Sequence, residues 1–479
     1  MKRHNIQAIL TYREGLQCFK KNDMFRFRLK RLSIAGIIIF IVVLIYNSNN
    51  RVQQQTYTHR EVLDKMNVYD EFGELSEKRQ KLIEEQLKQN NVIKQSNGVE
   101  DDQLEQHGES DIVRKMDVLK NKRNIDYSRY TDVLSMQRPK YLPNYKNPCW
   151  EWTEGNSTRV RCLPYFHLVG VDKCGTTDLW GRIRQHPQIL PNAGIGGKET
   201  HWWSWRRFGF DIWVEDRTPW TFENYLSVFD AAASKIESVV EKMEGYEDDY
   251  HPLITGEGSP TVFWDFTGWD HMPQNKDKIA DDALSTPDAL HHLTPSSYFL
   301  LLLRNPTERM YSDYMFLDLF RPVHNISAEN FHHGVIKSIK MFEDCKKIKT
   351  LKGCLYDKQL HMDIPVRIFV GMYVVYLKEW FEVFEKDRFL IFKNEEYSKD
   401  IKSHVQKVFQ FLDLNTLSDE EMEKIVNQKR AFDQSKTKKS TGPMWQETRQ
   451  ILDDLYRSYN EELAELLADN KYLWKDDSK

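Results

Sequence analysis

One stretch limits what this 479-residue chain can become more than any other: Leu163-Pro-Tyr-Phe-His-Leu-Val-Gly170-Val-Asp-Lys173-Cys174-Gly175-Thr176-Thr177-Asp178-Leu-Trp180. An apolar run ends at a glycine, a lysine follows, and Gly-Thr-Thr opens a segment of helical character. Strand, tight turn and helix N-terminus in this order form a cradle for a phosphate-like anion. The turn's N–H groups and the positive end of the helix dipole both favour negative charge there. It is not the nucleotide-triphosphatase loop, which sets its lysine after the last glycine. Here Lys173 precedes Gly175, which points to another phosphate ester and another transferred group.

The length suits one core of roughly 250–350 residues with appendages. A formal net charge of -4 makes the whole chain no polycation, so a nucleic-acid partner is not expected and an acidic ligand must be held by local basic patches. The 13 tryptophans favour a packed globular part.

Residues 32–46, Leu-Ser-Ile-Ala-Gly-Ile-Ile-Ile-Phe-Ile-Val-Val-Leu-Ile-Tyr, carry no charge. They are short for a spanning helix, which needs about 20 residues, yet thinner membranes of the early secretory pathway accept shorter spans. Lys20, Lys21, Arg26, Arg28, Lys30 and Arg31 precede the run and Asn-Ser-Asn-Asn follows it. The excess of positive charge predicts a signal anchor with residues 1–31 as a cytoplasmic tail and the rest across the membrane. A cleaved signal peptide and a buried core helix are the alternatives. The first lacks a small-x-small cleavage site, and the second lacks neighbours with which to build a core.

Of the six cysteines, Cys18 would be cytosolic. In a lumen, the pairs Cys149–Cys162 and Cys345–Cys354 are expected, which leaves Cys174 in the loop as the odd one. No C-x-x-C or H-x-x-x-H spacing accompanies the cysteines, so no metal site is expected. The sequons at Asn156 and Asn325 fit a lumenal fate.

Residues 47–140 are rich in Gln, Lys, Glu, Asp and Asn and too poor in apolar surface for a core. They read as a stem, and a homodimer through a coiled coil there stays an open alternative. From 141 to 479 short apolar runs alternate with helical patterns. Expected strands are Tyr165–Val169, Ile189–Leu190, His251–Thr255, Tyr298–Leu303 and Phe389–Phe392. Expected helices are 176–185, 221–232, 307–320, 330–343, 366–384, 401–412, 419–427 and 447–467. The alternation predicts an α/β domain of three layers, with a central, mostly parallel sheet flanked by helices and a P-loop-like cradle.

A second anion motif follows the apolar run 298–303: Arg304-Asn305-Pro306-Thr-Glu308-Arg309-Met-Tyr-Ser312. Asn305 suits an N-cap, Pro306 the first helical turn and Glu308 a capping box. Arg304 then stands at the carboxyl end of a strand and Ser312 two turns into the next helix. That is the edge where open α/β sheets bind ligands. A guanidinium and a hydroxyl there can share one phosphate.

The two motifs, in this order, resemble those of the PAPS-dependent carbohydrate sulfotransferases. The similarity extends over about 141–479 and includes Gly-Glu-Gly-Ser-Pro-Thr-Val-Phe-Trp-Asp (256–265), Pro-Val-Arg-Ile-Phe-Val-Gly-Met-Tyr (365–373) and Gly442-Pro443-Met444-Trp445. Within the family it is most similar to the Golgi branch that adds a second sulfate to N-acetylgalactosamine 4-sulfate of chondroitin or dermatan sulfate. Asp172 departs from the family pattern, which often has proline before the lysine.

The resemblance implies a type II Golgi membrane enzyme with a lumenal catalytic domain. PAPS would be the sulfuryl donor, no metal would be required, and a sulfated glycosaminoglycan would be the acceptor. Lys173 would stabilise the leaving oxygen. Backbone and hydroxyl donors of Cys174, Gly175, Thr176 and Thr177 would hold the 5′-phosphate. Arg304 and Ser312 would hold the 3′-phosphate, with Lys438, Ser440 and Thr441 in a basic loop closing over that end. The proton acceptor falls in Lys198-Glu199-Thr200-His201: Glu199 by resemblance, and His201 by its ordinary titration range and its place two residues on, on the same face if the segment is a strand. Lys198, Trp202, Arg206 and Arg207 are candidate acceptor contacts. Alternatives are a sulfotransferase for heparan sulfate or another glycan, a nucleoside or carbohydrate kinase, and an inactive glycan-binding membrane protein. The kinase would need a lysine after Gly175 and a metal-binding carboxylate, and neither is evident in the sequence.

Overall fold

The helices that flank the central sheet follow from its inner strands, which are buried almost from end to end. A computed structural model describes residues 129–210, 218–242, 249–317, 326–430 and 441–475. Strands β3 (Phe166–Gly170), β4 (Ile189–Leu190), β5 (Ile254–Glu257), β6 (Tyr298–Leu303) and β7 (Phe389–Lys393) form one sheet in the order β4-β5-β3-β6-β7. Every neighbouring pair is parallel. β3 is buried throughout and β6 from its second residue onward. A strand buried on both faces has no polar side to alternate, so helices must cover both.

The principal helices are α1 (Thr176–Ile183), α2 (Pro306–Leu317), α3 (Ala328–Lys346), α4 (Tyr373–Val383), α5 (Ile401–Phe411) and α6 (Gln446–Leu466). The chain leaves the central strand β3 for the edge at β4 and returns through β5. It then crosses to β6 on the other side of β3. The loops after β3, β5 and β6 therefore leave side by side from the carboxyl edge, at the topological switch point.

All five sheet strands were expected from the sequence, within a few residues. The hairpin of β1 (Cys149–Glu154) and β2 (Ser157–Cys162) was not. Its antiparallel register places Cys149 opposite Cys162, and the disulfide closes its open end. Asn156 lies exposed in its turn. The second expected disulfide, Cys345–Cys354, ties the end of α3 to a short helix at Leu351–Leu355. Cys174 is free and buried.

Four expectations change. The helix expected over 366–384 is a 3-10 turn at Ile368–Gly371 followed by α4, and that over 221–232 is two helices, Phe222–Ser227 and Asp230–Ser238. At the start of α2, Asn305 Oδ1 accepts the Glu308 N–H at 3.2 Å, but the reciprocal half of the capping box is absent. The Asn305 N–H donates to Glu395 Oε1 at 2.8 Å instead, because the Glu308 carboxylate is bonded to Arg449. Finally, packed structure begins before 141. Val133 is buried, Tyr130 stacks on Phe208 with centroids 5.7 Å apart, and Arg138 Nε donates to the His292 carbonyl at 2.6 Å. The expected tail, membrane span and most of the stem, residues 1–128, lie outside the described residues. Among the described residues no helix is long and apolar enough to cross a membrane.

Candidate functional site

The cradle is built on backbone conformation. Lys173 has φ +65° and Gly175 φ +91°, so the chain makes a tight left-handed turn between β3 and α1. A Cβ on Gly175 would stand 2.6 Å from Asn394 Nδ2, which donates to the Cys174 carbonyl at 2.7 Å. Glycine is required there for both reasons. Thr176 and Thr177 are the first two residues of α1 and carry its unpaired N–H groups.

Lys173 Nζ sits 3.7 Å above the centre of the Phe316 ring on α2, and it forms no carboxylate ion pair among the described residues. Burial drives its ammonium down to about 8, and the nearby Asp313 and Asp172 only partly oppose that. A desolvated cation whose near partner is an aromatic ring is suited to receive an anion. Arg304 leaves the end of β6 and donates from Nη1 to the Lys173 carbonyl at 3.2 Å, which joins the second anion motif to the first. Ser312 is buried one residue before Asp313 on α2. Close by, Tyr311 Oη donates to the Gly442 carbonyl at 2.8 Å, which brings the buried Thr441 to the same helix. Lys438 and Ser440 lie outside the described residues, as does Asn325.

Lys198, Glu199 and His201 come together beside the cradle. Lys198 Nζ lies 2.6 Å from Glu199 Oε1 and 3.4 Å from Thr176 Oγ1. His201 Nε2 is 3.0 Å from Glu199 Oε2, and its Nδ1 is 3.0 Å from Thr261 Oγ1. Burial pushes the Glu199 carboxyl up, but the Lys198 charge and the His201 hydrogen bond outweigh it and leave it at about 2. These side chains do not share a strand face as expected. The segment is a loop in which His201 has φ +51°.

That loop is pinned from β5. Ser259 Oγ accepts the N–H groups of Thr200 and His201, at 3.0 and 2.9 Å, and donates to Glu257 Oε1 at 2.7 Å. Glu257 Oε2 also accepts the Tyr225 hydroxyl at 3.0 Å. These anchors, together with Asn394, were not assigned roles from the sequence. The segment Gly256-Glu-Gly-Ser-Pro260 was the one available signal, a polar cluster directly after an apolar strand.

Three expected ligand contacts, Trp202, Arg206 and Arg207, are corrected by burial. Trp202 is fully buried, stacked on Tyr225 at 4.6 Å, with its Nε1 donating to the Trp220 carbonyl at 2.9 Å, so no face is left for a sugar. Arg207 is 1% exposed and lies among Trp202, Trp203 and Phe208. Arg206 is buried with its guanidinium 4.4 Å from the Trp220 ring centre. Cys174 turns its thiol into the core, where burial raises it to about 12, so only its backbone belongs to the cradle.

The sequence comparisons agree with this geometry in extent. A model of the sulfotransferase domain matches residues 163–457, from just ahead of β3 into α6. Carbohydrate sulfotransferase 15 of Homo sapiens is 34% identical over 380 residues, covering 70% of this chain and 66% of that protein, just under two thirds of its length. The Mus musculus protein of the same name is 35% identical over 386 residues, covering 72% and 67%. A solved sulfotransferase from Alicyclobacillus acidocaldarius aligns at 19% identity and a TM-score of 0.40, covering 64% of this chain and 97% of its own. With the family match enclosing the cradle, the Arg304 motif and the Lys198–His201 loop, the chain belongs to the sulfotransferase family.

Proposed function

We propose that this chain transfers the sulfuryl group of PAPS to a glycan hydroxyl, with the 6-hydroxyl of N-acetylgalactosamine 4-sulfate in chondroitin or dermatan sulfate as acceptor. The observation that carries the reading is the meeting of three elements at one sheet edge. These are a desolvated Lys173 in an anion cradle, Arg304 bonded to that cradle's backbone, and a carboxylate–histidine pair joined to it through Lys198. A carbohydrate acceptor is supported by the name and identity of the carbohydrate sulfotransferase relatives, and the particular hydroxyl rests on the resemblance of the sequence motifs.

Bound PAPS would supply an activated sulfuryl group and a bisphosphate leaving group. Lys173 would neutralise charge developing on the bridging oxygen, and the N–H groups opening α1 would hold the 5′-phosphate. Arg304 and Ser312 would hold the 3′-phosphate. Glu199 would take the proton of the attacking hydroxyl, with His201 fixing the carboxylate's orientation. A carboxyl held at about 2 is a weak proton acceptor while Lys198 remains paired with it. Lys198 also lies within reach of Thr176 at the cradle. Movement of its ammonium toward anionic oxygens there would free Glu199 and raise its proton affinity.

The disulfides and the exposed Asn156 support an oxidising, lumenal location. We place the chain in the Golgi as a type II membrane protein on the strength of its apolar segment at 32–46 and the charge before it. The test is disaccharide analysis of chondroitin 4-sulfate after incubation with residues 47–479 and PAPS, with heparan sulfate in parallel. New 4,6-disulfated units are expected. Sulfation of heparan sulfate alone would refute the acceptor, and transfer to neither would refute the activity.

A further inference from the structure

Asp172 poses an electrostatic problem. It stands between Val171 and Lys173 in a loop that receives an anion, and a carboxylate free to turn into that cradle would repel the ligand. The structure holds it elsewhere. Asp172 Oδ2 accepts the Trp264 Nε1–H at 2.7 Å, and Oδ1 lies 3.8 Å from Arg367 Nη2.

Both holders are themselves fixed. Trp264 is 2% exposed and sits on the loop after β5. Arg367 lies with its guanidinium 5.2 Å from the Trp264 ring centre and grips Asp313 through two donors, Nε at 2.9 Å and Nη2 at 2.5 Å. Asp313 is the residue after Ser312 on α2, and Arg309 Nη1 on the same helix lies 3.4 Å from it. The helix that carries Ser312 thus also anchors the arginine that faces Asp172. The side chains of Asp172 and Arg367 are 14% and 17% exposed, so the tether reaches the rim of the cradle and is not sealed beneath it.

We propose that Trp264 and Arg367 are positioning residues for the donor pocket: they hold the Asp172 carboxylate away from the cradle, so that Lys173 and not the acid beside it faces the ligand. The inference rests on the reading that this cradle binds PAPS and its product PAP. Tryptophan supplies a directed N–H, and the arginine, bound by a second carboxylate, offsets the charge without being free to swing into the pocket itself. At an effective dielectric of about 20, a carboxylate released to within about 5 Å of a phosphate lowers affinity on the order of a hundredfold.

The experiment is calorimetric titration of the lumenal chain with PAP. Wild type is compared with Trp264→Phe and Arg367→Gln, each alone and combined with Asp172→Asn, and melting temperatures are recorded for all. Each single variant is expected to bind PAP at least tenfold more weakly. Adding Asp172→Asn is expected to restore affinity to within about threefold of wild type while leaving the lowered melting temperature unrestored. A merely structural role would give the opposite, with affinity tracking stability. If Arg367→Gln does not fold, because Asp313 loses its main partner, the Trp264→Phe pair decides alone. Single variants that bind like wild type, or a double variant that stays weak, would overturn the inference and leave the functional reading standing. Absence of PAP binding by wild type would overturn both.

Discussion

Replacing Glu199 by glutamine keeps the side chain's shape and removes its charge, and the structure sets a size for the consequence. Lys198 and His201 hold the carboxyl at about 2 against an ordinary value of 4.5. That depression corresponds to about 3 kcal/mol favouring the charged form in the folded protein. The Glu199 side chain is 16% exposed, so solvent screening reduces this only modestly. The carboxyl is depressed on folding. Its stabilisation is therefore fully present above about pH 4.5 and is lost as pH falls through about 2. The Glu199→Gln variant should be about 3 kcal/mol less stable than wild type at pH 7 by urea unfolding, and about 2 kcal/mol less stable at pH 3.5, where the unfolded carboxyl is already mostly protonated. In the transfer assay at pH 7, the folded variant should lose on the order of a hundredfold to ten-thousandfold in kcat. A variant within 0.5 kcal/mol of wild type (about the resolution of the unfolding assay) would refute the ion-pair reasoning. Full transfer activity would refute the role of Glu199 as proton acceptor.

Other outcomes follow from the same geometry. Lys173 carries its charge only below about 8, so PAP affinity should fall as pH rises through that value, by up to tenfold per pH unit. The dependence should vanish in Lys173→Ala, and a titration against pH checks it. Ser259→Ala removes the acceptor shared by the Thr200 and His201 N–H groups, each costing about 1–3 kcal/mol if left unpaired. It should lower kcat while leaving KM for PAPS near wild type, because the cradle is built from other elements. Removing the Cys345–Cys354 bridge, which spans a sequence separation of 9, should cost about 2–3 kcal/mol by loop-closure entropy, read as a shift in urea midpoint. Peptide mapping that found both cysteines as free thiols would exclude that bridge.

The strands were readable because a parallel sheet covered on both faces needs uninterrupted apolar runs, and Tyr298–Leu303 is such a run. Helix positions were readable from period and capping residues. Where the reading failed, long-range contacts had decided. The capping box at Asn305 gave way to Glu395, and Glu308 went to Arg449, residues roughly 90 and 140 positions away. Trp202, Arg206 and Arg207 follow the proposed base in sequence, which made them look like acceptor contacts. The turn after His201 instead folds them into the core with Tyr225 and Trp220.

The sequence by itself determined the cradle, since a glycine-bounded turn between an apolar run and a helix start can hold an anion through its own backbone. It also determined the presence of a second cationic motif after a later strand, and it suggested the near-neighbour cysteine pairs that the fold then joins. Only the tertiary structure decided what Asp172 does. Its partners Trp264 and Arg367 lie roughly 90 and 195 positions away, and no local pattern marks them. The same holds for the charge state of Glu199. A carboxylate's proton affinity depends on burial and on which ammonium and imidazole the fold brings within 3 Å, and those distances exist only once the strands have been ordered.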